Sequence, residues 1–120
     1  MSLDWVKSTL EEKLGFLPYP GTLNLRLETE QDRLQWQDFL KTAKGIAVPP
    51  PNASFCSARL YPIEIGSARR TLRAAVVVPE VGGYPEDKME IVAPVQIKDT
   101  LGVQDGDSLN VEFCAVSGRR

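Results

Sequence analysis

The sequence predicts a mainly β domain with short helices, built as a small barrel or sandwich. Three observations point there. Apolar and polar residues alternate in several short runs, Gly- and Pro-containing turns separate the runs, and 120 residues suit one domain with a modest core. Residues 1–120 therefore read as a single domain.

The elements follow in order. In "LDWVKSTLEEKL" (3–14), Leu3, Val6, Leu10 and Leu14 form a helical stripe. Ser2 or Asp4 can cap its start, and Gly15 suits its end. Residues 21–27 are predicted as a strand, with Leu23, Leu25 and Leu27 on one face and Thr22, Asn24 and Arg26 on the other. "DRLQWQDFLKTA" (32–43) is predicted as a helix with Trp36, Phe39 and Leu40 inward and Gly45 at its end. "VPPPNAS" (48–54) is a stiff extended connection, since its prolines donate no ladder bonds. Runs 55–65 and 71–79 read as a hairpin around Gly66-Ser67-Ala68. "VGGYPED" (81–87) is a loop, and "MEIVAPV" (89–95) a strand ending near Pro94. "QIKDTLG" (96–102) is a helical turn closed by Gly102, "DGD" (105–107) a tight turn, and 108–116 the last strand. That gives about five strands and two or three short helices.

Composition narrows the chemistry. The net charge is −2, which argues against nucleic acid as a partner. Arg69, Arg70 and Arg73 form a local basic cluster that reads as a solvated turn and strand face. There is no histidine, so a Ser- or Cys-centred triad is not legible. Cys56 and Cys114 sit far apart in apolar patterns and read as buried free thiols. No signal-peptide pattern or long apolar run is present, so the expected setting is the cytoplasm, with no membrane partner.

Phosphoryl transfer remains open, because positioning, a metal ion and one carboxylate can accomplish most of it. Three stretches suit that chemistry. Thr22 and Asn24 offer neutral oxygens two residues apart on one strand face, a pattern that can hold a hard cation. Gly21 permits close backbone approach, and Pro18 and Pro20 stiffen the entry. Turn chemistry alone also accounts for Pro20-Gly21-Thr22, with Asn24 solvated. Glu90, between Met89 and Ile91, is either a partly desolvated acceptor for a hydroxyl proton or an outward-facing strand carboxylate. Backbone groups at the strand end in "APVQIKDTLG" can read a base edge, or the segment is a plain strand-to-helix turn.

Taken together, "GFLPYPGTLNLRL" (15–27) and "VVVPEVGGYPEDKMEIVAPVQIKDTLGVQDGDSLNV" (76–111) resemble the archaeal CTP-dependent riboflavin kinases. The Gly-Thr-Leu-Asn and Glu-Ile-Val-Ala-Pro segments, in this order, carry the resemblance, which covers about residues 5–113. It implies a six-stranded cradle-loop barrel and transfer of the γ-phosphoryl of CTP to riboflavin, giving CDP and FMN. It implies Mg²⁺ on Thr22 and Asn24, with Glu90 at the ribityl end of the flavin as the candidate base. It also implies cytosine recognition by the backbone of Pro94, Val95, Gln96 and Ile97, and adds Gly82 and Tyr84 to the ligand-binding set.

The sequence departs from that family at several points. This chain starts at the helix that follows the family's opening strand and Gly-x-Gly-x-Gly phosphate loop, so the barrel is expected to be incomplete by one strand. Gly82 stands where the family has a flavin-contacting threonine, and Gln96 where it has a basic residue. Two further readings follow: a non-catalytic flavin- or nucleotide-binding module, and an interaction domain that dimerises through the open barrel edge. The combination of Thr22, Asn24 and Glu90 favours the kinase or the binding module over the interaction domain.

Overall fold

The computed structural model describes residues 7, 9–19, 22–43, 45–48, 57–67, 70–80 and 87–113. Its element order is α1 (Leu10–Leu14), β1 (Leu23–Arg26), α2 (Glu30–Thr42), β2 (Ile46–Val48), β3 (Ala58–Gly66), β4 (Thr71–Pro79), β5 (Lys88–Val92), α3 (Ile97–Leu101) and β6 (Asn110–Phe113). Six antiparallel strands form one sheet in the order β1-β5-β4-β3-β2, and β6 pairs with β3.

β3 and β4 form the longest ladder, from Ala58↔Pro79 to Gly66↔Thr71. Gly66 is thus the last paired residue rather than part of the turn, and Ser67 N–H donates to Arg70 C=O at 3.0 Å to close the loop. The second edge of β3 is shared. β2 occupies Ala58–Leu60 and β6 occupies Ile63–Gly66. Pro62, which has no N–H to give, falls in the gap between those partners.

Alternation divides the sheet into two buried faces. The larger core takes Tyr61, Ile63 and Ile65 of β3, Ala74 and Val76 of β4, and Met89 and Ile91 of β5. α2 covers it with Trp36, 4% exposed, and with partly buried Phe39 and Leu40. Trp36, Phe39 and Phe113 stack, with ring centroids 4.1–5.9 Å apart, and Tyr61 meets Trp36 and Phe39 edge-on. Leu23 and Leu25 of β1 and Val111 and Phe113 of β6 pack on this same cluster. The sheet therefore curls until its two ends face one another across a cleft of about 890 Å³, lined by residues of both strands. Among the described residues it does not close: β1 has a partner on one edge only, and β6 pairs with β3 alone. This is the incomplete barrel the sequence led us to expect.

The opposite face carries a smaller core of Val48, Ala58, Leu60, Ala75, Val77 and Val92, covered by Leu10 and flanked by Leu14 and Phe16. α1 is wound with π-helical bonds, Gly15 N–H reaching Leu10 C=O at 3.0 Å. Among the described residues no helix is long and apolar enough to cross a membrane.

Several boundaries differ from expectation for physical reasons. α2 starts at Glu30 because Thr29 Oγ1 accepts from Asp32 N–H at 3.1 Å, a capping signal the apolar pattern does not contain. It ends at Thr42, three residues before Gly45. β2 is an additional strand, short enough to pass for part of the proline-rich connection. β1 and β5 are shorter than their apolar runs, and β5 stops at Val92, before Pro94. The predicted caps Ser2 and Asp4, the prolines of 49–51, Arg69 and both cysteines lie outside the described residues.

Gly45 has a different role from that of a helix stop. Its φ is +66°, and a Cβ there would meet Tyr61 Cε1 at 2.7 Å. Gly15 shares the left-handed conformation, φ +79°, but a Cβ there would have nothing within 4 Å. Gly45→Ala is expected to cost about 2–3 kcal/mol and Gly15→Ala about 1 kcal/mol, measured by urea unfolding. Equal losses would show that the close approach to Tyr61 contributes nothing.

Candidate functional site

The site is assembled where β1 lies against β5. The run from Gly15 to Thr22 brings it there. Gly15 turns the chain out of α1, Phe16 packs on the smaller core, and Tyr19 N–H donates to Ala93 C=O at 2.7 Å. The chain is thereby pinned to the end of β5 just before it enters β1, and Pro18 restricts its path between the two anchors. Pro20 and Gly21 lie outside the described residues. At the far end of the ladder Leu27 N–H donates to Asp87 C=O at 2.7 Å. Arg33 Nη1 donates to the carbonyls of Leu27 and Glu28, fixing the exit into α2.

Between those clamps the register places Asn24 directly opposite Glu90. Directly opposed residues share a face, so the two side chains are cross-strand neighbours. The row continues through Val77 and Leu60 to Ile46, crossing five strands. It is polar on β1 and β5 and apolar on β4, β3 and β2. Glu90 sits at that boundary, 8% exposed, with Asn24 exposed beside it. Glu90 is thus buried and is not an outward-facing strand carboxylate. Its face is not the solvent face, because α1 covers part of it. Lys88 Nζ lies 3.9 Å from Glu90 Oε1.

Thr22, half-buried, is one pleat before Asn24 and lines a pocket of about 190 Å³. The same pocket is lined by Tyr19, Val95, Gln96, Ile97 and Lys98. Tyr19 is 46% exposed and Val95 37% exposed, so both present apolar surface to its mouth. Pro94 is exposed on the same turn. The Gln96 side chain caps α3, its Oε1 accepting from Asp99 N–H at 2.7 Å, and its own C=O accepts from Thr100 N–H. Both Gln96 oxygens are therefore engaged in the start of α3.

Lys98, which the sequence reading did not single out, is the cation shared by the two cavities. It lines both the small pocket and the large cleft, as do Thr22 and Leu23, so the cavities adjoin at these residues. Lys98 Nζ is hydrogen-bonded to the Asp105 carboxylate. That hydrogen bond first, and the ammonium charge second, hold the Asp105 carboxyl below its ordinary value.

Thr22, Val95, Gln96 and Ile97 line the small pocket and Asn24 the adjoining cleft, whereas Glu90 is joined to them only through its pairing with Asn24 and, like Pro94, lines neither cavity. Gly82 and Tyr84 lie outside the described residues. Among the described residues, no group of three or more His, Cys, Asp or Glu could hold a metal ion. Any cation here would rest on neutral oxygens and on oxygens supplied by a ligand.

The Lys98–Asp105 contact has a definite pH signature. A carboxylate whose folded value is depressed contributes to stability above its unfolded value, and the contribution is lost as pH falls through the folded value. Lys98 is expected to stay tied to Asp105 at neutral pH and to be released only at a pH below that of an ordinary Asp. An NMR titration of Asp105 Cγ and Lys98 Nζ checks this, and Asp105→Asn should abolish the shift at Lys98.

Comparison with known proteins bears on this geometry. A family model described as "CTP-dep_RFKase: Domain of unknown function DUF120" matches residues 1–113. The chain is 37% identical over 114 residues to Riboflavin kinase of Pyrobaculum arsenaticum, an alignment covering 93% of this chain and 52% of that protein. It is 38% identical over 110 residues to Riboflavin kinase of Methanosarcina barkeri, covering 89% and 46%. With Riboflavin kinase of Archaeoglobus fulgidus it shares 33% identity over 115 residues, covering 93% and 47%. The chain spans about half the length of the curated relatives it matches. On the extent of the family match, and with the motif segments brought to one end of the β1–β5 pair, this chain belongs to the CTP-dependent riboflavin kinase domain family.

Proposed function

We propose that the chain is the phosphoryl-transfer domain of a riboflavin kinase, moving the γ-phosphoryl of CTP to the ribityl 5′-hydroxyl of riboflavin to give CDP and FMN. The observation that carries this reading is the pairing of Asn24 with Glu90 beside a pocket that gathers Thr22 with Val95, Gln96 and Ile97.

The pocket takes the cytosine. Backbone groups of the 94–97 turn meet the base edge, and Tyr19 and Val95 cover its faces. Lys98, at the junction of pocket and cleft, takes the phosphate tail in exchange for Asp105. Thr22 Oγ1 and Asn24 Oδ1 are the protein oxygens for Mg²⁺. A donor set of two neutral oxygens fits an ion that keeps water and phosphate ligands. When bound, that ion neutralises charge on the phosphates being separated. Glu90 accepts the 5′-hydroxyl proton as the hydroxyl oxygen bonds to the γ-phosphorus and the bond to the CDP oxygen breaks. Its burial beside Val77 limits competition from water for the carboxylate. Gly82 and Tyr84 complete the flavin side of the site. The proposed setting is the cytoplasm.

Calorimetric titration of riboflavin, FMN and CTP with Mg²⁺, followed by assay of the mixture for FMN, tests the reading. Turnover is expected. Asn24→Ala should lower it about 100-fold or more, and Glu90→Gln about 100- to 10,000-fold, with riboflavin binding kept within a few-fold. Binding of flavin with no CTP binding and no turnover would establish a binding module instead.

The edge of β1 that has no partner among the described residues is also a surface a second copy of the chain could pair with. Light scattering should then show a dimer that dissociates on dilution. A monomer at every concentration would remove that assembly.

A further inference from the structure

One pleat beyond Asn24 and Glu90, the same face carries a charge arrangement that sheets normally avoid. Arg26 stands directly opposite Lys88. Like charges so opposed repel and weaken the pairing. The other such pair in the sheet is Glu64 opposite Glu112, and there Arg73 lies opposite Glu64 on its second edge. That row carries its own counter-charge. Among the described residues, no acidic residue is paired in register with Arg26 and Lys88. Lys88 reaches back along β5 to Glu90, 3.9 Å away. Arg26 forms no ion pair among the described residues. It is exposed and lines the large cleft. Glu28, next on the same side of the chain, lies beyond the end of β1.

A local rule broken beside a candidate site points to a ligand that restores the balance. Arg offers a planar fork of N–H donors that matches two oxygens of a phosphate, and Lys adds a movable point charge. Two residues along a strand span about 7 Å, so the pair flanks the Asn24–Glu90 row at the distance of a neighbouring group on one ligand. The row lies on the side away from the 94–97 turn, because Leu23 faces Ile91 while Arg26 faces Lys88 at the start of β5.

We propose that Arg26 and Lys88 form a phosphate subsite for phosphorylated ligands, next to the Asn24–Glu90 pair. The identity of those ligands rests on the kinase reading, through either the phosphate of FMN or the tail of CTP. The anion chemistry does not.

The first test uses inorganic pyrophosphate with the 120-residue chain, following the side-chain NMR signals of Arg26 Nε and Lys88 Nζ. Saturable shifts at both groups are expected, with affinity about tenfold weaker in Arg26→Gln and in Lys88→Met. Both positions are at least partly exposed, and the unsubstituted chain reports on the subsite by itself should a variant misfold. Absence of a shift at either group, or unchanged affinity in both variants, overturns the subsite. Calorimetry with riboflavin, FMN, cytidine and CTP then assigns the source. A tenfold loss for FMN alone identifies the product phosphate, and one for CTP alone the nucleotide tail. Equal losses for riboflavin or cytidine, which carry no phosphate, overturn the proposal. A chain that binds pyrophosphate through both cations but none of the four ligands would keep the subsite and sink the kinase reading.

Discussion

Everything in the site depends on the parity of β5. This strand is paired on both edges, with β1 and with β4, and each residue is committed to one face. A slip of one residue would carry Glu90 into the aromatic core and turn Met89 and Ile91 out of it. Met89 is 2% exposed and Ile91 is fully buried. Each is worth about 1.5–3 kcal/mol of burial, before the cost of a carboxylate among aromatic rings is added. The Lys88–Glu90 contact cannot hold the register to that degree. It is 3.9 Å long with a lysine 39% exposed, the kind of ion pair that contributes about 0–1 kcal/mol. Apolar packing therefore fixes the position of the polar residues.

The same logic explains the approach to β1. A strand that must present Thr22 and Asn24 at fixed positions cannot enter from a loose loop. The turn at Gly15, the anchoring of Phe16 and the Tyr19–Ala93 hydrogen bond hold the entry at three successive points. Pro18 between them lowers the entropy of the unfolded chain in this segment, so less is lost on ordering it. Gly15 and Pro18, which read as turn punctuation, thus hold the approach to β1.

What was legible in the sequence was what local pattern encodes. The alternating run at 71–79 appears unchanged as β4, and the leucines of β1 lie on the core face. The fate of Glu90 was not legible, because the helix that covers its face lies about 75 residues upstream and alternation cannot report a second cover. The role of Gln96 was hidden for the opposite reason: its cap bond to Asp99 is local but competes with the more suggestive position at a strand end. Lys98 was missed because it lies inside a helix of five residues, and only the meeting of two cavities singles it out. Gly82 and Tyr84 were inferred by resemblance alone, and that inference still stands apart from any geometry.

The nine-residue ladder of β3 and β4 has a kinetic consequence. Its two strands are joined by a loop of four residues, so its contacts are local and closing it costs little chain entropy. β1 is at the other extreme. It has four residues and, among the described residues, one partner, and must wait for a strand more than sixty residues away. The hairpin is the natural nucleus, and the β1 edge is the last ladder to form and the first to open. Amide exchange should accordingly be slowest along β3 and β4 and fastest at Leu23–Arg26. The strand that carries half of the site thus depends on the most distant pairing in the sheet. A ligand gripping β1 and β5 together would act as the missing cross-link and stabilise the fold by mass action.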